Sequence, residues 1–488
     1  MIKNYLYNLM YQIVTILLPI ITIPYISRVL GAEGIGVYSL TNAYAQYFVL
    51  FGMIGLSMYC SREIAYVKDN KKILSKTFWE LNFLRFITMG ISIVLYILTF
   101  IFVFKSDNIV LNLIQGILLL SSLVDISWLF IGLEDFKKVS IRNTIVKISG
   151  VILVFIFVKN SSQVWLYALI LGVTQLVGQI IMWFDIPKYI TYKKPTKENL
   201  VVHLKSSLKL FIPQISINIY TMLDKVMLGW LTNDAQVGMY DNSQRVIKVA
   251  TTVVTVLSTV TLPKMSSLYK NGKRDEFSNT AYKSFSFVSF LAFPMAFGLS
   301  GICENFIPWF YGIGFEGIES MFYFGVLLMI TLSWSSIIGN QILISVKRDK
   351  MFTIAVTTGA IINIVFNFIL IRRLEGVGTT ISSVIAEFTG MFIMVYFVRD
   401  LVEVKKLFKT IPRYFISSLI MGIVVFMVGK LVSSNIFGTI IQVAIGGMIY
   451  LGIMALIRDD NLVYILYFVR TKILEVRRKN KINQNRYT

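Results

Sequence analysis

Five ionisable side chains lie inside two long apolar segments that meet near residues 231–234. They belong to Asp224, Lys225, Asp241, Arg245 and Lys248. If both segments cross a bilayer, such residues usually face a bundle interior or a wet cavity, because ionisation in lipid is costly. One helical face carries Asp241, Arg245 and Lys248, which are spaced i, i+4 and i+7. This face can bind an anion, because Arg donates bidentately to phosphate and Lys acts as a point charge. The alternative is two structural ion pairs, Asp224–Lys225 and Asp241–Arg245.

A second group of polar residues is suited to binding a cation. Asn363 and Asn367 are spaced i, i+4, as are Thr379 and Ser383, and Asp224 supplies a carboxylate. A Na⁺ site uses about five or six oxygen ligands, usually with one carboxylate, and backbone carbonyls often complete it. These five residues are therefore a candidate Na⁺ site. The alternative is ordinary hydrogen bonding between helices, in which Asn and Ser join neighbouring spans.

Three isolated charged residues complete the candidates. Asp125 and Glu387 lie within apolar segments, where a carboxyl group either carries a coupling proton or serves as a hydrogen-bonded structural acid. Arg28 lies at the end of the first apolar segment. It either binds the same anion as the basic cluster or extends its side chain to the membrane surface.

The composition indicates that these residues lie in a membrane. Of the 488 residues, 56% are hydrophobic and 15% are charged, with a mean hydropathy of +0.70, whereas a soluble protein carries about 25% charged residues. The net charge of +21 does not indicate nucleic acid, because the basic residues are concentrated in alternate loops, which is a topology signal. Cys60, Cys303 and the one histidine, His203, form no metal or redox pattern. The sequence therefore predicts an all-α polytopic membrane protein.

Fourteen segments are long and apolar enough to cross the bilayer, since a spanning helix needs about 20 predominantly apolar residues. The predicted spans are residues 9–29, 36–60, 82–104, 109–133, 141–159, 163–186, 208–231, 238–263, 284–304, 321–346, 351–371, 377–398, 411–431 and 435–457. One set of alternate loops carries about fivefold more Lys and Arg than the other, and the basic set faces the cytoplasm. Both termini are therefore predicted to be cytoplasmic.

The longest basic loop divides the chain into two six-span halves. The predicted parts are an N-terminal lobe, a basic linker, a C-terminal lobe, a span pair and a basic amphipathic tail, at residues 1–186, 187–207, 208–400, 401–460 and 461–488. In the tail, residues 464–479 mix apolar and basic residues, as an interfacial helix does. A solvated basic tail is the alternative.

The two halves show weak internal similarity. Three short matches carry it: residues 19–23 with 213–217, 30–31 with 228–229, and 36–38 with 238–240. Because six is an even number, matching spans run in the same direction, which makes the repeats parallel and places the substrate between them. On this register Asn42 and Gln46 correspond to Gln244 and Lys248, so the first lobe is neutral where the second is cationic.

An ordered set of short stretches resembles one known family. The stretches are residues 21–47, 125–136, 220–229 and 375–380, and the first reads ITIPYISRVLGAEGIGVYSLTNAYAQY. They are similar to bacterial polysaccharide flippases of the Wzx type, members of the multidrug/oligosaccharidyl-lipid/polysaccharide (MOP) exporter superfamily. The resemblance covers essentially the whole chain. It implies two six-helix lobes that form a V around a central cavity, plus two C-terminal helices.

The resemblance also implies a substrate and a site for it. The expected substrate is a few sugars on undecaprenyl diphosphate, moved by alternating access from the inner to the outer leaflet of the bacterial cytoplasmic membrane for capsule or O-antigen assembly. The residues expected to bind it are Arg28, Asn42, Gln46, Lys225, Arg245 and Lys248. Membrane lipids are expected contacts, and a polysaccharide polymerase is a candidate partner.

Some relatives hold Na⁺ between spans seven, eleven and twelve, at positions that match the candidate cation site. This chain departs from their pattern because Asn367 stands where an acid could stand. Na⁺ at Asp224, Asn363, Asn367, Thr379 and Ser383 is therefore one candidate for coupling. The other is H⁺, carried by an acid such as Asp125 or Glu387.

Three other functions remain open at this point. A lipid II flippase would carry a related cargo. A cation-coupled multidrug antiporter of the same superfamily would need a net acidic cavity, whereas basic residues outnumber the acids here. A membrane polymerase or glycosyltransferase would need a large outer loop or a catalytic domain, but the longest predicted outer loop spans only residues 304–320. We therefore expect a transporter, with no catalytic residues and no cofactor apart from a coupling ion.

Overall fold

The computed structural model describes residues 2–103, 108–467 and 471, and these residues contain helices and connecting turns but no strand. The helices of the first part of the chain are α1 (Ile2–Met53), α2 (Leu56–Val67), α3 (Lys71–Leu98), α4 (Ile109–Leu123), α5 (Ser127–Gly132), α6 (Phe136–Phe157), α7 (Val164–Trp183) and α8 (Ile186–Tyr189). Those that follow are α9 (Lys197–Leu231), α10 (Asp234–Lys270), α11 (Arg274–Tyr311), α12 (Ile318–Ser335), α13 (Asp349–Val398), α14 (Val404–Phe408), α15 (Ile411–Gly429) and α16 (Ile436–Leu456). A π-helical segment, Ser336–Leu343, follows α12.

Two of the longest helices are bent where the sequence predicts a boundary between spans. In α1 the break is at Gly31, with φ 69° and ψ 177°, a backbone conformation that glycine adopts without steric cost. In α13 the break is at Glu375, with φ 50° and ψ −129°, which is unusual for a residue with a side chain. Each helix is therefore two consecutive spans joined by a kink.

The described residues contain ten helical segments long and apolar enough to cross a membrane. Two of them, at 10–67 and 349–398, are 58 and 50 residues long, enough at about 1.5 Å per residue for two crossings of a core about 30 Å thick. The all-α polytopic membrane fold is thus confirmed, and the count of fourteen spans stays a prediction. Most of the predicted interfacial helix at 464–479 lies outside the described residues.

The chain divides into two compact units. The first consists of Met1–Val246, Phe310–Met321 and Val356–Ala386, and the second of Ile247–Trp309, Phe322–Ala355 and Glu387–Thr488. In the second unit, Trp334 stacks on Phe285 with ring centroids 5.4 Å apart and donates a hydrogen bond to Ser289. Outside the spans of this unit, an ion pair and hydrogen bonds from Arg348 hold the pKa of the Asp400 carboxyl below its usual value.

Within the first unit, the end of the connection to α9 and the first two turns of α9 contact α2 and α3 through polar side chains. Glu80 is 2% exposed and accepts hydrogen bonds from Thr196 Oγ1 at 2.7 Å and Asn199 Nδ2 at 2.8 Å. The hydroxyl of Tyr59 lies 2.8 Å from His203 Nδ1. The predicted basic linker is therefore held against the first six-span segment by side-chain hydrogen bonds.

Helices α1 and α10 of the first unit cross at two glycines that the internal similarity pairs. A Cβ on Gly36 would lie 1.6 Å from the carbonyl oxygen of Asp234, and one on Gly238 would lie 1.9 Å from that of Ala32. The two contacts are reciprocal, because the offset that relates Gly36 to Gly238 also relates Ala32 to Asp234. Reciprocal contacts between equivalent residues are what a two-fold relation between repeats produces.

Alanine at either crossing glycine should destabilise the protein strongly. Overpacking costs about 1–3 kcal/mol even where side chains give way, and here the atom that must move is backbone. We expect Gly36→Ala and Gly238→Ala to lower the thermal unfolding temperature of the detergent-purified protein. Gly90→Ala is the matched control, because no atom lies within 4 Å of the added Cβ and alanine is the better helix former. Equal unfolding temperatures for Gly36→Ala and Gly90→Ala would contradict the crossing.

Candidate functional site

The predicted basic cluster is organised around one buried carboxylate, that of Asp241. Lys225 Nζ donates to Asp241 Oδ1 at 2.5 Å, and Arg245 Nη2 donates to Oδ2 at 2.7 Å. Ser39 on α1 donates a third hydrogen bond to Oδ2 at 2.6 Å. Asp241 is 3% exposed. We call Lys225, Asp241, Arg245 and Ser39 the cationic hub.

The cationic hub carries one more positive than negative charge. Lys225 and Arg245 share a single carboxylate, and their side chains remain 26% and 36% exposed. A buried charge is retained only when it is paired and hydrogen-bonded, and Asp241 meets that condition with three donors. The surplus charge, on side chains that are still accessible, can pair with an anionic ligand.

Aromatic residues surround Arg245. The Tyr38 and Tyr167 rings pack edge to face at 4.7 Å, and both side chains interact electrostatically with the Arg245 guanidinium. Tyr311 donates to the backbone oxygen of Asn242 at 3.1 Å. Rings and a guanidinium together form a surface that is partly apolar and partly cationic. No pattern in the sequence predicts this arrangement, because the aromatic residues come from three separate stretches of chain.

The other predicted substrate residues lie in varied surroundings. Arg28 is exposed, and its stem approaches Gly312, with Cγ 3.0 Å from where a Cβ on that glycine would stand. Asn42 donates from Nδ2 to Gln115 Oε1 of α4 at 3.2 Å, and Gln46 is half-buried. Lys248 is exposed and belongs to the second unit. Of the predicted set, Lys225 and Arg245 are therefore the residues that the structure joins through a common partner.

The predicted cation site forms a second cluster, centred on Asp224. Its carboxylate, 1% exposed, accepts from Asn367 Nδ2 at 2.7 Å and from Ser383 Oγ at 2.8 Å. Tyr240, which the sequence did not single out, donates to the carboxylate at 2.7 Å. Asn367 Nδ2 also donates to Asn363 Oδ1 at 3.2 Å. We call Asp224, Tyr240, Asn363, Asn367 and Ser383 the polar cluster.

Thr379 lies one turn from Ser383 and contributes through its backbone. Its carbonyl accepts from Ser383 Oγ at 3.0 Å, while its own hydroxyl donates to the carbonyl of Glu375 at 3.4 Å. Glu375 is the kink residue of α13, so the backbone that the cluster uses is the backbone just after the break. In broken spans, backbone carbonyls near the break often complete an ion site.

The oxygen atoms of the polar cluster fit a hard monovalent cation. They include a carboxylate, two amide oxygens and a hydroxyl, all buried. The amide oxygen of Asn367 is buried and makes no hydrogen bond within the part of the chain that the structure describes, which is costly for a polar atom unless a ligand satisfies it. Among the described residues no group of three or more His, Cys, Asp or Glu side chains could hold a metal ion. Hard oxygen donors of this kind suit Na⁺ better than a transition metal, and Na⁺ at this site stays a prediction.

The two acids predicted to couple protons lie at other places in the fold. Asp125 accepts from Ser127 N at 2.8 Å and from Ser127 Oγ at 2.6 Å, in the turn that separates α4 from α5. The bond from the backbone two residues on is that of an Asx turn. Glu387 is half-buried and belongs to the second unit. The roles predicted for both acids in proton coupling stay predictions.

The chain matches a known protein family over more than half its length. Residues 1–269 match the family model described as polysaccharide biosynthesis protein. The chain belongs to this family. The resemblance to polysaccharide flippases that the sequence indicated is therefore confirmed.

Two relatives of the chain are described as putative O-antigen transporters. The one from Shigella dysenteriae is 24% identical over 387 residues, covering 79% of this chain and 96% of the relative. The one from Escherichia coli K12 is 22% identical over 411 residues, covering 82% of this chain and 96% of the relative.

Solved structures show the same fold. A lipid II flippase, MurJ, in an inward closed conformation aligns with a TM-score of 0.73 at 18% identity, covering 94% of this chain and 99% of that one. A multidrug transporter of the MATE family in an inward-facing conformation aligns with a TM-score of 0.57 at 13% identity, covering 82% and 99%. The chain therefore has the fold of MOP-superfamily transporters.

Proposed function

We propose that the protein is a flippase for oligosaccharide carried on undecaprenyl diphosphate. It moves this lipid from the inner to the outer leaflet of the bacterial cytoplasmic membrane for assembly of a surface polysaccharide. Family membership, the two O-antigen transporters among its relatives and the MOP fold support the proposal. The observation that carries it is the cationic hub, a net positive cluster on α9 and α10 of a polytopic membrane protein, where a lipid diphosphate would need to bind.

The hub supplies what a diphosphate loses on leaving water. Removing charged phosphate oxygens from water is costly unless protein donors replace the water. Arg245 offers a planar set of N–H groups and Lys225 a compact ammonium, and both remain partly exposed. The phosphate oxygens compete with Asp241 for these donors. When the substrate binds, the donors of Arg245 and Lys225 therefore exchange charge-assisted hydrogen bonds to Asp241 for charge-assisted hydrogen bonds to phosphate.

The two clusters are joined through consecutive residues on two helices. On α9, Asp224 of the polar cluster precedes Lys225 of the hub, and on α10, Tyr240 precedes Asp241. The contacts run in parallel, with Tyr240 donating to Asp224 and Lys225 donating to Asp241. A Na⁺ ion at Asp224 would compete with the Tyr240 hydroxyl for the carboxylate. Binding of the ion would therefore act directly on α9 and α10, the two helices that carry the hub.

The proposed transport step is alternating access, with the polyprenyl tail in the bilayer and the diphosphate at the hub. Both termini then face the cytoplasm, in accord with the basic residues of the predicted inner loops. A polysaccharide polymerase would consume the product on the outer side. A multidrug antiporter for cations is disfavoured because the hub has a surplus of positive charge.

Depletion of the protein in its native host tests the proposal. The lipid-linked oligosaccharide should accumulate in the inner leaflet, since its synthesis continues while its export stops. The measurement is mass spectrometry of extracted lipids, together with protection of the glycan from a glycosidase added to right-side-out vesicles. Re-expression of the wild-type chain is the control. Accumulation of lipid II instead would reassign the cargo, and accumulation of neither lipid would contradict the proposal.

A further inference from the structure

A groove separate from both clusters lies between α6 and α7 in the first unit. Its volume is about 490 Å³, within the range of about 300–1,000 Å³ that is usual for ligand sites. At one side of the groove α6 and α7 are in close contact at Gly178. A Cβ there would lie 2.2 Å from Cγ2 of Val146 and 3.3 Å from Cδ of Arg142. Any larger residue at this position would force the two helices apart and change the wall of the groove.

One end of the groove is basic. Three basic residues, Lys137, Lys138 and Arg142, line it against two acidic ones, Asp135 and Asp185. The Lys138 ammonium donates to Asp185 Oδ2 at 3.0 Å. Asp185 also pairs with a second lysine, 2.5 Å away at position 188. The carboxylate of Asp185 is therefore fully engaged, and a surplus of positive charge remains.

Arg142 is the residue that most requires a further partner. Its Nε is buried and makes no hydrogen bond within the described part of the chain. An unsatisfied buried donor costs about 1–3 kcal/mol, and more when the group is charged. The stem of Arg142 lies over Gly178, so its guanidinium stands at the edge of the groove. An anion bound there would satisfy the donor.

The rest of the groove is apolar and open on one side. Ile145 and Ile181 line it with side chains that are 60% and 56% exposed, in helices that are apolar enough to cross the membrane. A soluble anion would gain nothing from this wall. The ligand that fits both parts has an anionic head and a hydrocarbon tail.

We propose that this groove binds an anionic phospholipid of the inner leaflet. Its phosphate lies against Arg142 at the basic end, and an acyl chain follows the wall formed by Ile145 and Ile181. On the predicted topology the basic end faces the cytoplasm, where basic pockets between spans bind acidic headgroups. The lipid bridges α6 and α7 and is a different molecule from the transported one.

The test is native mass spectrometry of the purified full-length protein titrated with phosphatidylglycerol or phosphatidylcholine. Arg142→Gln should weaken phosphatidylglycerol binding about fivefold or more, as expected for the loss of one basic residue near the headgroup, and leave phosphatidylcholine binding unchanged. Arg142→Lys should retain most of the binding. Lys194→Gln, which removes the same charge from an exposed position outside the groove, should have no effect.

A second pair of variants keeps the test informative if Arg142→Gln fails to fold. Ile141 lines the groove near the basic end and is 38% exposed. Ile141→Glu should weaken phosphatidylglycerol binding, whereas Ile141→Gln, equally polar but neutral, should not. Equal losses of phosphatidylglycerol binding in Arg142→Gln and Lys194→Gln would mean that general surface charge causes the effect, and would overturn the proposal. Displacement of phosphatidylglycerol by undecaprenyl phosphate at equal concentration would also overturn it, by assigning the groove to the polyprenyl lipid.

Discussion

Replacement of Arg245 by alanine should abolish oligosaccharide export while the protein still inserts in the membrane. Truncating one partner of a buried, hydrogen-bonded charge pair costs about 2–5 kcal/mol, a loss of about 30-fold or more in substrate binding. The readouts are the surface polysaccharide of cells that carry the variant and transport of lipid-linked oligosaccharide in proteoliposomes. Arg274→Ala is the matched control, because Arg274 is exposed at the start of α11 and packs on Tyr269.

A double substitution separates substrate binding from simple charge pairing. If Arg245 serves only to pair with Asp241, then Asp241→Asn combined with Arg245→Gln should restore export, because the double variant has the wild-type net charge of the hub, one positive charge that now lies on Lys225. If Arg245 binds the diphosphate, the double variant should remain as inactive as Arg245→Gln alone. The comparison is a double-mutant cycle, which isolates the interaction between the two residues. Export by the double variant at the wild-type level would contradict the proposed role of the hub.

The sequence predicted the members of both clusters better than it predicted their pairing. Sequence spacing placed Asp241 and Arg245 one turn apart on α10, and the structure joins them in an ion pair. It also suggested a pair between Asp224 and Lys225, but the structure directs Lys225 to Asp241. The physical reason is that neighbours at i and i+1 point about 100° apart on a helix and do not face each other.

The sequence did not predict the contacts between distant segments. Tyr240 completes the polar cluster, yet nothing in its local pattern distinguishes it from a lipid-facing aromatic residue. Ser39 reaches Asp241 only because α1 and α10 approach closely at Gly36 and Gly238. The short internal match contained both glycines, but only the structure shows that they meet. Composition and hydropathy therefore predicted the class of fold, while packing determined the partners.

Replacement of Asp224 by asparagine should remove the dependence of transport on Na⁺. The substitution keeps the size of the side chain but replaces one carboxylate oxygen with an N–H donor, which then faces groups that already donate, Tyr240, Asn367 and Ser383. It also removes the only formal negative charge of the polar cluster, and Na⁺ sites usually include a carboxylate. The measurement is transport in proteoliposomes as a function of external Na⁺, with choline as the replacement cation.

Two further variants decide whether Asp224 binds the ion or only holds the helices together. Tyr240→Phe removes one donor to Asp224 and none of the proposed oxygen ligands, so it should preserve the Na⁺ dependence and leave the carboxylate freer to bind the ion. Asp275→Asn, at an exposed position in the first turn of α11, should behave as the wild type. Unchanged transport and unchanged Na⁺ dependence in Asp224→Asn would contradict the proposed Na⁺ site. Transport that follows the pH gradient without Na⁺ would transfer the coupling to H⁺, because a buried carboxyl group can carry a proton in place of a cation.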